Sequence, residues 1–278
     1  MKALARALDE AARSLSDASD TPRLDAELLM AEAFGIDRDR LLLNPPGRTI
    51  PARFGEMIER RRSGEPVAYI TGRRAFWDIE LHVGPGVLIP RPDSEVLIAS
   101  AIEHFSGTDG PRRILDLGTG PGTLLLGALD IWKTATGIGI DRSRRALSYA
   151  AANARRLGLE DRAELRFGDW AEGIDERFDL VLCNPPYIRT GAELGRGVAE
   201  FEPEEALFAG TDGLDAYRAL APQLRRLIAD GGLAAVEIGF DQAEAALEIL
   251  GDDTLESRLA HDLAGHARAV LLTYAKRK

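Results

Sequence analysis

Arg113-Ile114-Leu115-Asp116-Leu117-Gly118-Thr119-Gly120-Pro121-Gly122 joins a short run of apolar, strand-forming residues to a glycine-rich turn that opens a helix. Glycines let the backbone approach a ligand closely, and the positive end of a helix favours an anionic group. Pro121 lacks an N–H, so the turn offers one donor fewer, which predicts weakened rather than lost binding. The next strand pattern, Gly137–Ile140, ends in Asp141, 19 residues beyond Gly122. A carboxylate there accepts hydrogen bonds from both hydroxyls of a ribose. An acid at the start of the helix after Ser143 is its structural alternative, and the two roles are compatible.

Outward from this turn the chain alternates strands and helices. Strand patterns fall at 113–117, 137–140, 163–167, 178–183 and 232–238, with a closing pair near 255–259 and 268–274. A helix pattern at 146–157 stops at Gly158, and another at 212–229 contains Pro222, which predicts a kink or a late start. Such alternation predicts an α/β fold with a doubly wound, Rossmann-like sheet. Upstream, Leu4, Leu8, Ala11 and Leu15 repeat at helical spacing, Thr21-Pro22 begins a helix that Gly35 ends, and Phe54, Met57 and Ile58 lie on another. The expected organisation is a helical domain over 1–75, a β-hairpin linker over 76–92 turning around Gly84-Pro85-Gly86, and a catalytic domain over 93–278.

Charge narrows the partners. The net charge is −10, and it resides in residues 76–278, which hold 22 basic and 33 acidic groups against 13 and 12 in residues 1–75. An acidic catalytic half disfavours a polyanion whose binding depends on phosphate neutralisation. Arg60, Arg61, Arg62, Arg73 and Arg74 are the one candidate basic stripe, and the reading favoured here is a solvated helix end. No apolar run approaches the roughly 20 residues of a membrane helix. One cysteine, Cys183, leaves no internal disulfide, so a cytoplasmic protein is expected. His82, His104, His261 and His266 form no metal-spaced cluster, and no Ser/His/Asp arrangement supports hydrolysis.

The glycine turn and Asp141 fit either a nicotinamide dinucleotide or S-adenosylmethionine. Two features favour the latter. Gly168-Asp169-Trp170 follows the third strand, where an acid meets the adenine amino group and an aromatic packs on its face. The fourth strand ends in Asn184-Pro185-Pro186-Tyr187, which dehydrogenase chemistry does not require. An amide or ring-conjugated nitrogen is a weak nucleophile, because its lone pair is delocalised. The Asn184 oxygen and the Pro185 carbonyl can each accept one N–H of such a group, the two prolines stiffen the turn, and Tyr187 can stack on a planar acceptor. The alternative is a rigid turn without chemistry. Its place at the carboxyl end of the fourth strand, where open α/β sheets bind ligands, favours the functional reading. Cys183, inside the apolar strand, is read as core.

These segments, with Arg23–Leu29, Gly64–Gly72, Phe76-Trp77, Leu88–Glu95, Phe201-Glu202-Pro203 and Glu237-Ile238-Gly239 with Gln242, resemble the bacterial peptide chain release factor glutamine methyltransferase family over nearly the whole chain. The Asn-Pro-Pro-Tyr turn is shared with amino methyltransferases of DNA and RNA; the segments before Asp116 are the more specific. The resemblance implies that Asp116, Gly118, Thr119, Gly120, Pro121, Gly122, Asp141, Asp169, Trp170 and Asn184 hold S-adenosylmethionine. It implies that Asn184, Pro185, Pro186 and Tyr187 hold and activate the acceptor. That acceptor is the glutamine of the Gly-Gly-Gln motif in class 1 release factors, methylated on its side-chain nitrogen, with the helical domain docking the protein. Pro121 and Arg144 depart from the family pattern. The segment Pro90-Arg91-Pro92-Asp93 is expected to be a lid, a hinge or a plain linker. The competing function is an amino methyltransferase of adenine or guanine; a cofactor sensor and a dehydrogenase rank below it.

Overall fold

The computed structural model describes residues 2–44, 46 and 49–274. Its contacts divide the chain into two units, residues 1–73 with 193–202, and residues 74–192 with 203–278.

The smaller unit is helical: α1 (Lys2–Ser14), α2 (Pro22–Phe34), α3 (Arg38–Leu43), α4 (Arg53–Arg62) and α5 (Val67–Thr71). Leu4, Leu8 and Ala11 of the first helix, with Leu15 just after it, meet Leu29, Met30, Phe54, Ile58 and Ile70 in one core. Gly35 ends α2 in the left-handed conformation, as the stop signal predicts. Thr21 makes no side-chain cap; its hydroxyl turns instead to the Asp25 carboxylate at 3.3 Å. Asp25 and Glu27 are buried charges, so each needs a partner. Arg61 meets Asp25 at 2.7 Å, and Arg23 and Arg38 each meet Glu27 at 2.7 Å.

Arg60, Arg61 and Arg62 end α4, as expected, with Arg60 and Arg62 half exposed to solvent. Their charges are also paired, Arg60 with Glu65 and Arg62 with Glu59, as is that of Arg73 with Glu32.

In the larger unit, β1 (Arg73–Phe76) and β2 (Ile79–His82) form a hairpin. Its turn is at Trp77-Asp78, with Trp77 at φ 50°, and not at Gly84-Pro85-Gly86. The segment expected as a separate linker is therefore grouped with the catalytic unit. A 3₁₀ turn, Pro92–Ser94, leads into α6 (Glu95–His104). Then follow β3 (Arg113–Leu117), α7 (Thr123–Ile131), β4 (Thr136–Asp141), α8 (Arg144–Leu157), β5 (Ala163–Phe167) and β6 (Phe178–Cys183). After α9 (Val198–Phe201), whose residues group with the smaller unit, come α10 (Asp215–Leu227), β7 (Ile228–Glu237), α11 (Ala243–Leu250), β8 (Leu255–His261) and β9 (Ala267–Tyr274). Helix α10 is continuous through Pro222.

The seven strands order as β5-β4-β3-β6-β7-β9-β8. Strands β3 to β7 pair in parallel, and β9 runs antiparallel to both β7 and β8. The order reverses between β3 and β4 on one side and β6 on the other, so the carboxyl ends of these strands frame the crevice where such sheets bind ligands. Continuous apolar burial along β3, β4 and β6 is what a sheet covered on both faces demands.

Candidate active site

A cavity of about 1020 Å³, part of it open to solvent, lies at the carboxyl ends of β3, β4, β5 and β6, within the larger unit. Asp116, Gly118, Thr119, Gly120, Pro121, Asp141, Asp169, Trp170, Asn184 and Pro186 line it. Of the residues singled out from the sequence, Gly122, Pro185 and Tyr187 do not.

The glycine turn spends its donors inside the protein. Gly118 and Thr119 N–H groups both donate to the Ile140 carbonyl at 2.9 Å, Gly120 N–H donates to Asp141 Oδ2 at 2.8 Å, and Gly122 N–H donates to the Thr119 carbonyl at 2.9 Å. The helix start is also taken. Asp116 Oδ2 accepts the Leu125 N–H of α7 at 3.1 Å and the Thr119 hydroxyl at 2.6 Å. The anionic group expected at this helix is therefore the chain's own carboxyl. A turn so committed is poorly suited to a pyrophosphate, which needs those N–H groups. The missing N–H of Pro121 removes nothing that its neighbours offer. Its carbonyl accepts from Asn153 Nδ2 at 2.9 Å, which fixes the turn against α8.

Asp141 has both expected roles available. Its Oδ1 accepts the Ser143 N–H and its Oδ2 the Gly120 N–H, each at 2.8 Å. Each oxygen retains a lone pair for a ligand hydroxyl. Burial raises its pKa, and the two backbone donors oppose that rise. Asp116 is more extreme: 1% exposed, with Oδ1 buried and unpartnered, it is pushed up to about 7 by burial. Trp170 sits at φ 46°, a strained conformation for a large side chain, and its ring faces the open side of Gly118. The site thus holds an aromatic wall, a carboxylate with acceptor capacity to spare and a buried polar atom without a partner. These features fit an adenosine-bearing cofactor without phosphates.

At the end of β6, the Asn184 side-chain NH₂ donates to Ser94 Oγ at 3.0 Å. Its oxygen is left to accept. The Tyr187 hydroxyl donates to Glu237 Oε1 at 3.2 Å, and its carbonyl accepts from Gln242 Nε2 at 2.9 Å. Tyr187 is thus tied to β7 and to the start of α11. Burial, and then the Glu237 carboxyl, push its phenol upward. Cys183 is wholly buried and raised by that burial, which makes it a core residue. No three acidic, histidine or cysteine side chains group as a metal site among the described residues.

The sequence singled out the segments around Ser94 and Glu237 but assigned neither residue to the site, nor the wall formed by Leu88, Pro90 and Arg91. The segment Pro90–Asp93, expected as lid, hinge or linker, is part of the cavity wall and of its support. Asp93 pairs with Arg268 at 3.0 Å and Glu95 accepts the Trp77 N–H at 3.1 Å.

Residues 6–72 match a family model described as the PrmC N-terminal domain, and residues 109–251 match one described as a methyltransferase domain. A release factor glutamine methyltransferase of Caulobacter vibrioides is 41% identical over 96% of this chain and 95% of that one. One of Rhodospirillum rubrum is 42% identical over 96% of this chain and 84% of that one. Among solved structures, a Pyrococcus furiosus methyltransferase superposes with a TM-score of 0.53 at 17% identity, over 72% of this chain and 90% of that one. At that identity it speaks for the fold alone.

Proposed function

Because this chain belongs to the release factor glutamine methyltransferase family, we propose that it transfers a methyl group from S-adenosylmethionine to the side-chain nitrogen of the glutamine in the Gly-Gly-Gln motif of class 1 release factors. The observation that carries the geometry is the convergence of Asn184 and Pro186 with Gly118–Pro121, Asp141, Asp169 and Trp170 on one cavity.

In this cavity Asp141 would hold the ribose hydroxyls, Trp170 would pack on the adenine and Asp169 would meet its amino group. Bound S-adenosylmethionine supplies the electrophile, a methyl on a sulfonium sulfur. The chain's own work is orientation. Asn184 Oδ1 and the Pro185 carbonyl accept the two N–H groups of the glutamine amide and aim its nitrogen lone pair at the cofactor. Pre-set geometry of this kind is worth up to about 7–11 kcal/mol. The nitrogen becomes acidic once methylated and releases its proton to solvent, so no strong base is needed. Tyr187 is held at its hydroxyl by Glu237 and at its carbonyl by Gln242, which stiffens the turn.

The test is mass spectrometry of release factor after incubation with enzyme and cofactor. One added methyl on the Gly-Gly-Gln glutamine, absent when that glutamine is changed, is expected. Methyl on rRNA or DNA and never on release factor overturns the proposal in favour of a nucleic-acid amino methyltransferase.

A further inference from the structure

The residues after Glu237 continue beyond the carboxyl end of β7, and the strand register places their neighbours. Glu237 pairs with Ala269 of the antiparallel β9, and the Ile238 N–H donates to the Arg268 carbonyl at 2.8 Å. The turn between β8 and β9, Asp262–His266, therefore stands on the same rim of the sheet as the Asn184–Tyr187 turn after β6. The sheet order divides this rim. The cavity lies at the ends of β3 to β6, and no residue of β7, β8 or β9 lines it. With the cofactor in that cavity and the acceptor glutamine at the end of β6, the rim left for the chain that carries the glutamine is that of β7, β9 and β8.

Two apolar side chains stand out there. Phe240 is 61% exposed and Leu263 is 110% exposed. Exposed apolar residues scattered singly are ordinary. These two sit on neighbouring turns, since the Phe240 ring meets His266 edge-on with centroids 6.0 Å apart. Phe167, another exposed aromatic of the larger unit, is by contrast covered by the Arg144 guanidinium at 4.1 Å. Both turns are held from within. Gln242 Nε2 donates to the Tyr187 carbonyl and Gln242 Oε1 accepts the Tyr217 hydroxyl, each at 2.9 Å, which ties the Phe240 turn to the acceptor turn. Asp262 Oδ1 accepts the N–H groups of Ala264 and His266, each at 2.9 Å, and so fixes the turn that carries Leu263. Apolar side chains on pre-set turns lose little freedom when a partner covers them.

The charges favour a protein over a nucleic acid. Arg268 is the one Lys or Arg in residues 238–242 and 262–268, and it is paired with Asp262 at 2.8 Å and with Asp93 at 3.0 Å. No lysine or arginine of these turns is left to neutralise phosphate. We propose that Phe240 and Leu263 form a docking surface for the acceptor protein, covered by apolar side chains of the segment that flanks the methylated glutamine. This rests on the reaction proposed above. The surface is continuous with the acceptor turn through Gln242, so the flanking chain reaches it along one rim.

The measurement is kcat and KM for methylation of full-length release factor by the wild-type enzyme, Phe240→Ala and Leu263→Asp, with calorimetric titration of S-adenosylhomocysteine and sedimentation of each enzyme alone. The wild-type enzyme is the control for the reaction itself: if it leaves release factor unmodified, the proposed function fails, whatever the variants do. Each variant is expected to raise KM for release factor at least fivefold, with kcat and the affinity for S-adenosylhomocysteine unchanged within twofold. An unchanged KM, a loss confined to kcat, or an equal loss of S-adenosylhomocysteine affinity overturns the proposal. So does a wild-type dimer that Leu263→Asp dissociates, which would assign the surface to a second copy of this chain. Leu263 contributes nothing to the core or to the acceptor turn, so Leu263→Asp decides the matter if Phe240→Ala disturbs the turn that holds Gln242.

Discussion

At the scale of single residues, two carboxyls make the fold sensitive to neutral pH. Burial raises Asp116 and Glu237 to about 7, while an unfolded chain ionises them near about 4. Between those values the folded state binds more protons than the unfolded one, so stability falls as pH rises from about 4 to about 7 and levels off above. Asp141, also raised, acts in the same direction. Asp212 and Asp262, lowered to about 2 by Arg218 and Arg268, act only in stronger acid. Urea titrations at pH 5 and pH 8 should therefore show the lower stability at pH 8, with a smaller difference in Glu237→Gln. An equal or larger difference in the variant would show that Glu237 does not titrate in this window. Asp141 and Asn184 were legible in the sequence because each ends a strand, a position that pattern alone supplies. Ser94 and Glu237 were not: their partners Asn184 and Tyr187 lie 90 and 50 residues away, and only the sheet order brings them together.

At the scale of elements, the turn between β3 and α7 combines two demands that its glycines meet differently. Gly118 and Gly122 both have positive φ, 73° and 88°. A Cβ on Gly118 meets nothing closer than Trp170 at 3.8 Å, whereas one on Gly122 falls 2.7 Å from Leu126 Cδ1. Alanine at either position costs about 1–2 kcal/mol for the left-handed conformation, and Gly122→Ala adds a clash inside α7. Gly122→Ala should lower the denaturation midpoint more than Gly118→Ala does; the reverse order would show that packing behind the turn is not what Gly122 serves. The turn and the strands of the large sheet were legible because a doubly covered sheet imposes apolar runs of strand length on the sequence. The hairpin was placed at the wrong turn because Trp77, a bulky residue at positive φ, gives no turn signal, whereas Gly84-Pro85-Gly86 gives a strong one. The continuity of α10 was hidden by Pro222. Leu220, Leu224 and Leu227 are fully buried on either side of it, and that packing outweighs the local penalty.

At the scale of the whole molecule, each unit has its own core, one around Leu29 and Leu15 and the other around the large sheet, and the cavity belongs wholly to the second. The sequence divides the chain near residue 75, and contacts divide it at Arg73; what pattern could not give is that residues 193–202, deep in the second half, group with the first unit. A unit that docks release factor supplies binding remote from the chemistry, and weakening it should cost recognition of the whole protein while sparing the reaction centre. Leu29 is fully buried in the helical core, and its replacement by alanine removes about 2–5 kcal/mol from that core. Leu29→Ala should therefore bind S-adenosylhomocysteine as the wild type does in calorimetric titration, since no residue of the cavity lies in the altered unit. It should raise KM for full-length release factor several-fold and leave transfer to a short Gly-Gly-Gln peptide nearly unchanged. If peptide and full-length protein lose rate in equal proportion, the helical unit supports the catalytic one and does not dock the substrate. If neither changes in a variant whose melting curve shows the helical unit loosened, release factor is recognised by the larger unit alone.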